Sequence, residues 1–301
     1  MSFCLSGVTA SQQPMKISLY NERTMFECLE ATFDFLRANR RVWFRSALLL
    51  FLPICVVVSL MMFFSIEKDS MGKDVFFWFE NFSQIDNYSM FIFLAWYVAV
   101  CAVMVQIHSL LSANEERDEG VEGMSLKELR PWFIRTAIRS WYLPLFFVLL
   151  VVLYATEPIL GFLMTVVMVP LALLPALHLI ERLDFMNAIS KAILRGFPIW
   201  FKIFVNIVLV SLLGLYVFLM LFLPTGFFSW MLETVSTSQL HELERLFVIA
   251  LGFAFTVLAS FGLCVVFSMV VLVCAYLYGS MSEEIDASSL EGEVADFENE
   301  R

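Results

Sequence analysis

A chain of 301 residues in which 60% of side chains are hydrophobic and 16% charged lies well outside soluble globular composition, about 45–50% and 25%. The net charge of −10 argues against a nucleic-acid partner. Charged residues gather in short clusters that leave long uncharged runs, so the composition predicts helices that cross a lipid bilayer.

Residues 1–24 are polar, do not read as a cleavable signal peptide, and are expected to be a cytoplasmic N-terminal segment. Thr24 and Glu27 then carry the T-x-x-E pattern of a capping box, which opens a helix. Beyond it Phe26, Leu29, Phe33 and Leu36 share one helical face, while Glu27, Glu30, Asp34, Arg37 and Arg41 share the other. That pattern predicts an amphipathic helix over 25–41, lying along the membrane interface with its apolar stripe buried against lipid or the bundle. It runs into "RRVWFR", where Trp43 suits headgroup depth and Arg40, Arg41 and Arg45 suit anionic lipid phosphates.

Uncharged runs then predict six transmembrane helices, at about 46–66, 90–111, 140–156, 158–180, 203–223 and 246–278. Continuous apolar runs exclude the alternating pattern of a membrane barrel, so the expected fold is an all-α, polytopic six-helix bundle over residues 25–280. Of nineteen Lys and Arg, only Lys68, Lys73 and Arg245 fall on one side of that arrangement. The remainder place both termini in the cytoplasm of a plasma (inner) membrane. The aromatic stretches 73–88 and 224–245 are expected along the outer interface. Residues 281–301 are acidic and are expected to be a disordered, solvated tail.

The opening segment has an echo. "LDFMNAISKAILRGFPIWFK" (183–202) aligns with the first amphipathic segment at a shift of 157 residues, placing Trp200 and Lys202 against Trp43 and Arg45. A weaker copy occupies 125–142. The organisation predicted is three units, each an interfacial helix followed by a transmembrane hairpin. The two stronger copies predict helices over 25–41 and 184–196. Arg40, Arg41, Trp43, Arg45, Trp200 and Lys202 become the candidate anchors to anionic headgroups at the cytoplasmic face.

The F-x-x-L-x-x-T-F-x-F-L-R-x-N series Phe26, Leu29, Thr32, Phe33, Phe35, Leu36, Arg37 and Asn39, with Ala192 and Arg195 ahead of the fifth span, supports a resemblance. It resembles a group of uncharacterised six-span bacterial membrane proteins, similar to the membrane domain attached to some glycerophosphodiester phosphodiesterases. The resemblance implies an integral membrane protein, without a segment long enough for the phosphodiesterase barrel.

Motifs for chemistry are scarce. The sequence has no P-loop, H-E-x-x-H, G-x-S-x-G or C-x-x-C, and its six cysteines show no disulfide framework. His108 and His178 fall near the cytoplasmic ends of the second and fourth spans, close to Gln106 and Glu181. They are candidates for a shared metal or proton-relay site, against a plainer reading as separately hydrogen-bonded interfacial histidines. Glu157, before Pro158, is a candidate intramembrane acid or the N-terminal cap of the next helix. Asn206 is expected to bond across helices. No cofactor is expected. The leading functional expectation is a non-enzymatic integral membrane protein acting through lipid or helix contacts, as a scaffold or accessory subunit. Its partner would be a membrane protein or a second copy of the chain. The alternatives are a permease or efflux component for an apolar or amphipathic solute, and a lipid-modifying enzyme.

Overall fold

The computed structural model describes residues 17–68, 87–118, 120–156, 166–234 and 242–299. The regular elements among the described residues are helices. In chain order they are α1 (Met25–Ala38), α2 (Arg40–Lys68), α3 (Asn87–Glu116), α4 (Leu126–Ser140), α5 (Leu143–Thr156), α6 (Val166–Leu179), α7 (Phe185–Gly196), α8 (Trp200–Thr234) and α9 (Glu242–Asn299). Expectations for most of 1–24, for 73–86 and for the stretch around Glu157 lie outside the described residues.

Thr24 and Glu27 form the reciprocal cap read from the sequence, the Thr24 amide donating to Glu27 Oε2 at 2.7 Å. Leu29 and Leu36 of the expected stripe pack against the core. Cys28, Ala31, Thr32 and Phe35 are buried, whereas Phe26 and Phe33 are 67% and 44% exposed. The small side chains let α1 approach α9 closely, and Phe35 meets the edge of Tyr276 with ring centroids 6.3 Å apart. The bulky phenylalanines then point outward, which leaves α1 with a second apolar sector on its outer surface. Glu27, Glu30, Asp34 and Arg37 are exposed, as the pattern requires.

The helix stops earlier than 41. The Asn39 side chain bonds back to the Phe35 carbonyl at 3.1 Å, and its amide bonds the same oxygen at 2.9 Å. A new helix starts at Arg40, so Arg40, Arg41 and Arg45 belong to the first turns of α2 rather than to the amphipathic helix.

Four helices among the described residues are long and apolar enough to cross a membrane: Arg40–Met61, Phe91–Glu116, Trp200–Pro224 and Leu246–Glu284. The protein is thus an all-helical one with the spans of a membrane protein. The described parts of α5 and α6 are apolar and fourteen residues long each. At 1.5 Å per residue, fourteen residues give about 21 Å, less than the roughly 30 Å of bilayer hydrocarbon.

The longest helix organises the rest. α9 packs against α1, α2, α3, α6 and α8. From Val271 to Ser282 every residue of it is buried, which a helix shows only when neighbours surround it. α8 lies along its earlier half through close approaches: a Cβ at Gly214 would stand 2.1 Å from Val266 Cγ1, and one at Gly262 would stand 2.5 Å from Leu221 Cδ1. α9 continues as helix to Asn299, through most of the acidic stretch that reads as a disordered tail. Glu is frequent there and favours helix, and no proline interrupts the stretch.

Candidate functional site

Polar side chains converge where the ends of α3 and α6, the start of α8 and the late turns of α9 meet. The irregular segment 17–24 ahead of α1 is drawn across this junction. Leu19 is fully buried, its amide donates to Glu115 Oε1 at 2.7 Å, and Asn114 Nδ2 donates to the Ile17 carbonyl at 3.1 Å. The segment lies directly on Gly279, where a Cβ would come within 2.2 Å of the Leu19 carbonyl oxygen. Only glycine permits that approach.

Arg23 ties the segment down. Its guanidinium donates to the Leu19 and Ser18 carbonyls at 3.1 and 2.7 Å, and lies 5.0 Å from the Tyr276 ring centroid. Its amide donates to Ser280 Oγ at 3.0 Å, and the Ser280 hydroxyl donates back to the Arg23 carbonyl at 3.0 Å. Lys202 Nζ donates to the same carbonyl at 2.7 Å. On the other flank Glu181 accepts from Tyr278 Oη and, at 2.7 Å, from Lys191 Nζ. Burial first, and then the Glu181, Glu115 and Glu283 carboxylates, push the Tyr20 phenol above its ordinary range. Tyr276 Oη is buried with no hydrogen-bond partner among the described residues.

Arg23 and Lys202 are held by backbone carbonyls, and Lys191 forms an ion pair with Glu181. Among the described residues no three His, Cys, Asp or Glu are grouped to hold a metal ion. The arrangement is a clasp. It joins segments up to 257 residues apart in sequence.

The sequence-derived candidates scatter around it. His108 is buried in α3 and donates from Nδ1 to the Met104 carbonyl of its own helix at 2.9 Å. His178 in α6 donates from Nδ1 to the Leu183 carbonyl at 2.7 Å, and its Nε2 accepts from Tyr142 Oη. Each imidazole therefore has its own partners. Glu157 lies outside the described residues. Arg40, Arg41 and Arg45 are exposed, and Trp43 is half-buried with its carbonyl accepting from Gln106 Nε2 at 2.9 Å. Trp200 is half-buried, donates to the Val166 carbonyl at 2.8 Å and stacks on Phe204 at 5.0 Å. Lys202 turns inward to the clasp instead of outward to lipid. Asn206 bonds the Lys202 carbonyl of its own helix at 2.9 Å rather than a neighbouring helix.

Sequence reading passed over Arg23, Asn114, Glu115, Tyr276, Tyr278 and Ser280. One signal was available: "YLYGS" places two phenols, a glycine and a hydroxyl inside an otherwise apolar span. Polar groups there are costly unless they find partners. Compared with protein-family models, with curated proteins and with solved structures, the chain matches none.

Proposed function

We propose that this chain is a multi-pass protein of the plasma (inner) membrane that acts without catalysis, holding lipid and helix contacts as a scaffold or accessory subunit. Six spans, both termini in the cytoplasm and kinship with the membrane domain of glycerophosphodiester phosphodiesterases complete the reading. α5 and α6 would supply the two crossings beyond the four long helices.

The order of elements supports the three-unit organisation, because the amphipathic helices α1, α4 and α7 each precede two apolar helices. At the 157-residue shift, Ala31 and Ala188, Phe35 and Ala192, Asn39 and Gly196, and Ser46 and Ile203 are all buried. Glu30 and Asn187, Arg37 and Leu194, Arg40 and Phe197, and Phe44 and Phe201 are all exposed. A shared pattern of this kind is what duplicated units packed on one another would retain.

The filled centre carries the non-transport reading. With α9 surrounded from Val271 to Ser282, the place where a conduit between units would run is occupied by packed side chains. Cys55 of α2 and Cys264 of α9 report on the same interior: both are buried and their sulfurs lie 4.0 Å apart. In a variant keeping only these two cysteines, a membrane-impermeant thiosulfonate reagent should modify neither from either side of sealed vesicles. A bifunctional oxidant that enters lipid should cross-link them. Rapid modification by the impermeant reagent would reveal a water-filled path and favour the permease reading instead. Topology is tested separately: single cysteines at Ser112 and Ser238 should react from opposite sides, and reaction of both from outside would refute six spans.

A further inference from the structure

Beside the clasp, Arg135 and Arg139 of α4 and Arg182, three residues beyond α6, line a narrow cleft with Ser112, Thr136 and Leu179. Glu116 is the acid against it. Its Oε1 accepts from Arg182 at 2.6 Å and from Arg135 at 3.3 Å, and its Oε2 accepts from Trp132 Nε1 at 2.9 Å. Arg139 has no carboxylate within ion-pair distance among the described residues. Asp184 acts electrostatically on Tyr142 and His178 together with Arg139, and so is the next acid on this side. Counting it, three cations still face two anions. Glu181, whose oxygens are taken by Tyr278 and Lys191, is committed elsewhere.

Two further features of this face bear on what it could hold. Arg182 is the one non-glycine residue with a positive φ among the described residues, at 59°. An arginine adopts that left-handed conformation only at a conformational cost, and it brings the guanidinium across to the α3 end of the cleft. On α4, Arg135 and Arg139 run one turn apart beside a second stripe, Ile134 and Ile138, which are 49% and 68% exposed. A row of guanidiniums alongside a row of outward isoleucines matches a molecule with an anionic head and an apolar tail. Guanidinium forks suit phosphate oxygens, and the cleft hydroxyls add neutral donors.

We propose that the guanidiniums of Arg135, Arg139 and Arg182 at the mouth of this cleft, whose interior is only about 10 Å³, bind the phosphate of an anionic phospholipid, with acyl chain lying over Ile134 and Ile138. The isoleucine stripe distinguishes a lipid phosphate from free phosphate, and the inference rests on the membrane reading above. The full-length protein, purified and delipidated in neutral detergent, is titrated with phosphatidylglycerol, phosphatidylcholine and inorganic phosphate, and bound lipid is counted by native mass spectrometry. Phosphatidylglycerol should bind at least tenfold more tightly than phosphatidylcholine, and millimolar inorganic phosphate should not displace it. Arg139→Gln and Arg182→Asn, the latter tolerant of the left-handed backbone, should each weaken phosphatidylglycerol binding about tenfold or more. Lys127→Gln, an equal charge change on the same helix, should leave it unchanged. Wild-type binding by both arginine variants, or an equal loss in Lys127→Gln, overturns the site. Displacement by inorganic phosphate overturns the lipid source. Carbonate extraction of the chain from native membranes would defeat the membrane reading itself, whatever the titration gives.

Discussion

Replacing Gly279 by valine is expected to lift residues 17–24 off the bundle and to lower the melting temperature of the purified protein by on the order of 10 °C. A Cβ at this position meets the Leu19 carbonyl oxygen at 2.2 Å and its carbon at 2.9 Å. A side-chain tip in the way could rotate aside; a backbone carbonyl moves only with its segment. Displacing that segment exposes Leu19, whose burial contributes about 1.5–3 kcal/mol. It also breaks the bonds from Leu19 to Glu115 and from Arg23 to Ser280, each worth about 1 kcal/mol or somewhat more where a charge takes part. Trypsin offers an independent readout, since Arg23 should be cut much faster once the clasp opens. Gly226→Ala is the matched control: nothing lies within 4 Å of a Cβ there, so helix propensity alone should leave stability unchanged or raise it by up to about 1 kcal/mol. Unaltered melting and unaltered trypsin cleavage in Gly279→Val would show that the segment does not rest on α9.

The spans were legible because the sequence separates its charges so strongly. Runs free of Asp, Glu, Lys and Arg mark α2, α3, α8 and the first part of α9 without any knowledge of their partners. The capping box was legible for the same local reason: Thr24 and Glu27 need only each other. What escaped was set by partners distant in sequence. Phe26 and Phe33 are the conspicuous apolar residues of α1, yet small Cys28, Ala31 and Thr32 face α9, because close approach favours small volume over hydrophobicity. Asn39 reads as one polar residue among arginines until its side chain is seen bonding Phe35. The clasp draws on Arg23, Glu115, Lys202 and Ser280, each ordinary in its own neighbourhood.

Lys202 shows most clearly how local context misleads, and its removal is the second large effect expected. Flanked by Phe201 and close to Trp200, it reads as a snorkelling anchor. In α8, however, Ile203, Asn206 and Val210 form the inward stripe, and Lys202 stands at its edge, near enough to curl its ammonium under the Arg23 carbonyl at 2.7 Å. Lys202→Met keeps most of the stem and deletes the charge, leaving that carbonyl with the Ser280 hydroxyl alone. The expected loss is about 2 kcal/mol, the scale of a hydrogen bond from a charged donor. Ser280→Ala should lose less alone. The double variant should depart from additivity by about 0.5 kcal/mol or more, because both groups serve one acceptor. An anchoring lysine makes different predictions: destabilisation would appear only in bilayers containing anionic lipid, and would add simply to that of Ser280→Ala. Melting curves of the four proteins in neutral detergent, and again with phosphatidylglycerol, separate the two roles. A loss of the same size in both media, coupled to Ser280, is the outcome the clasp requires.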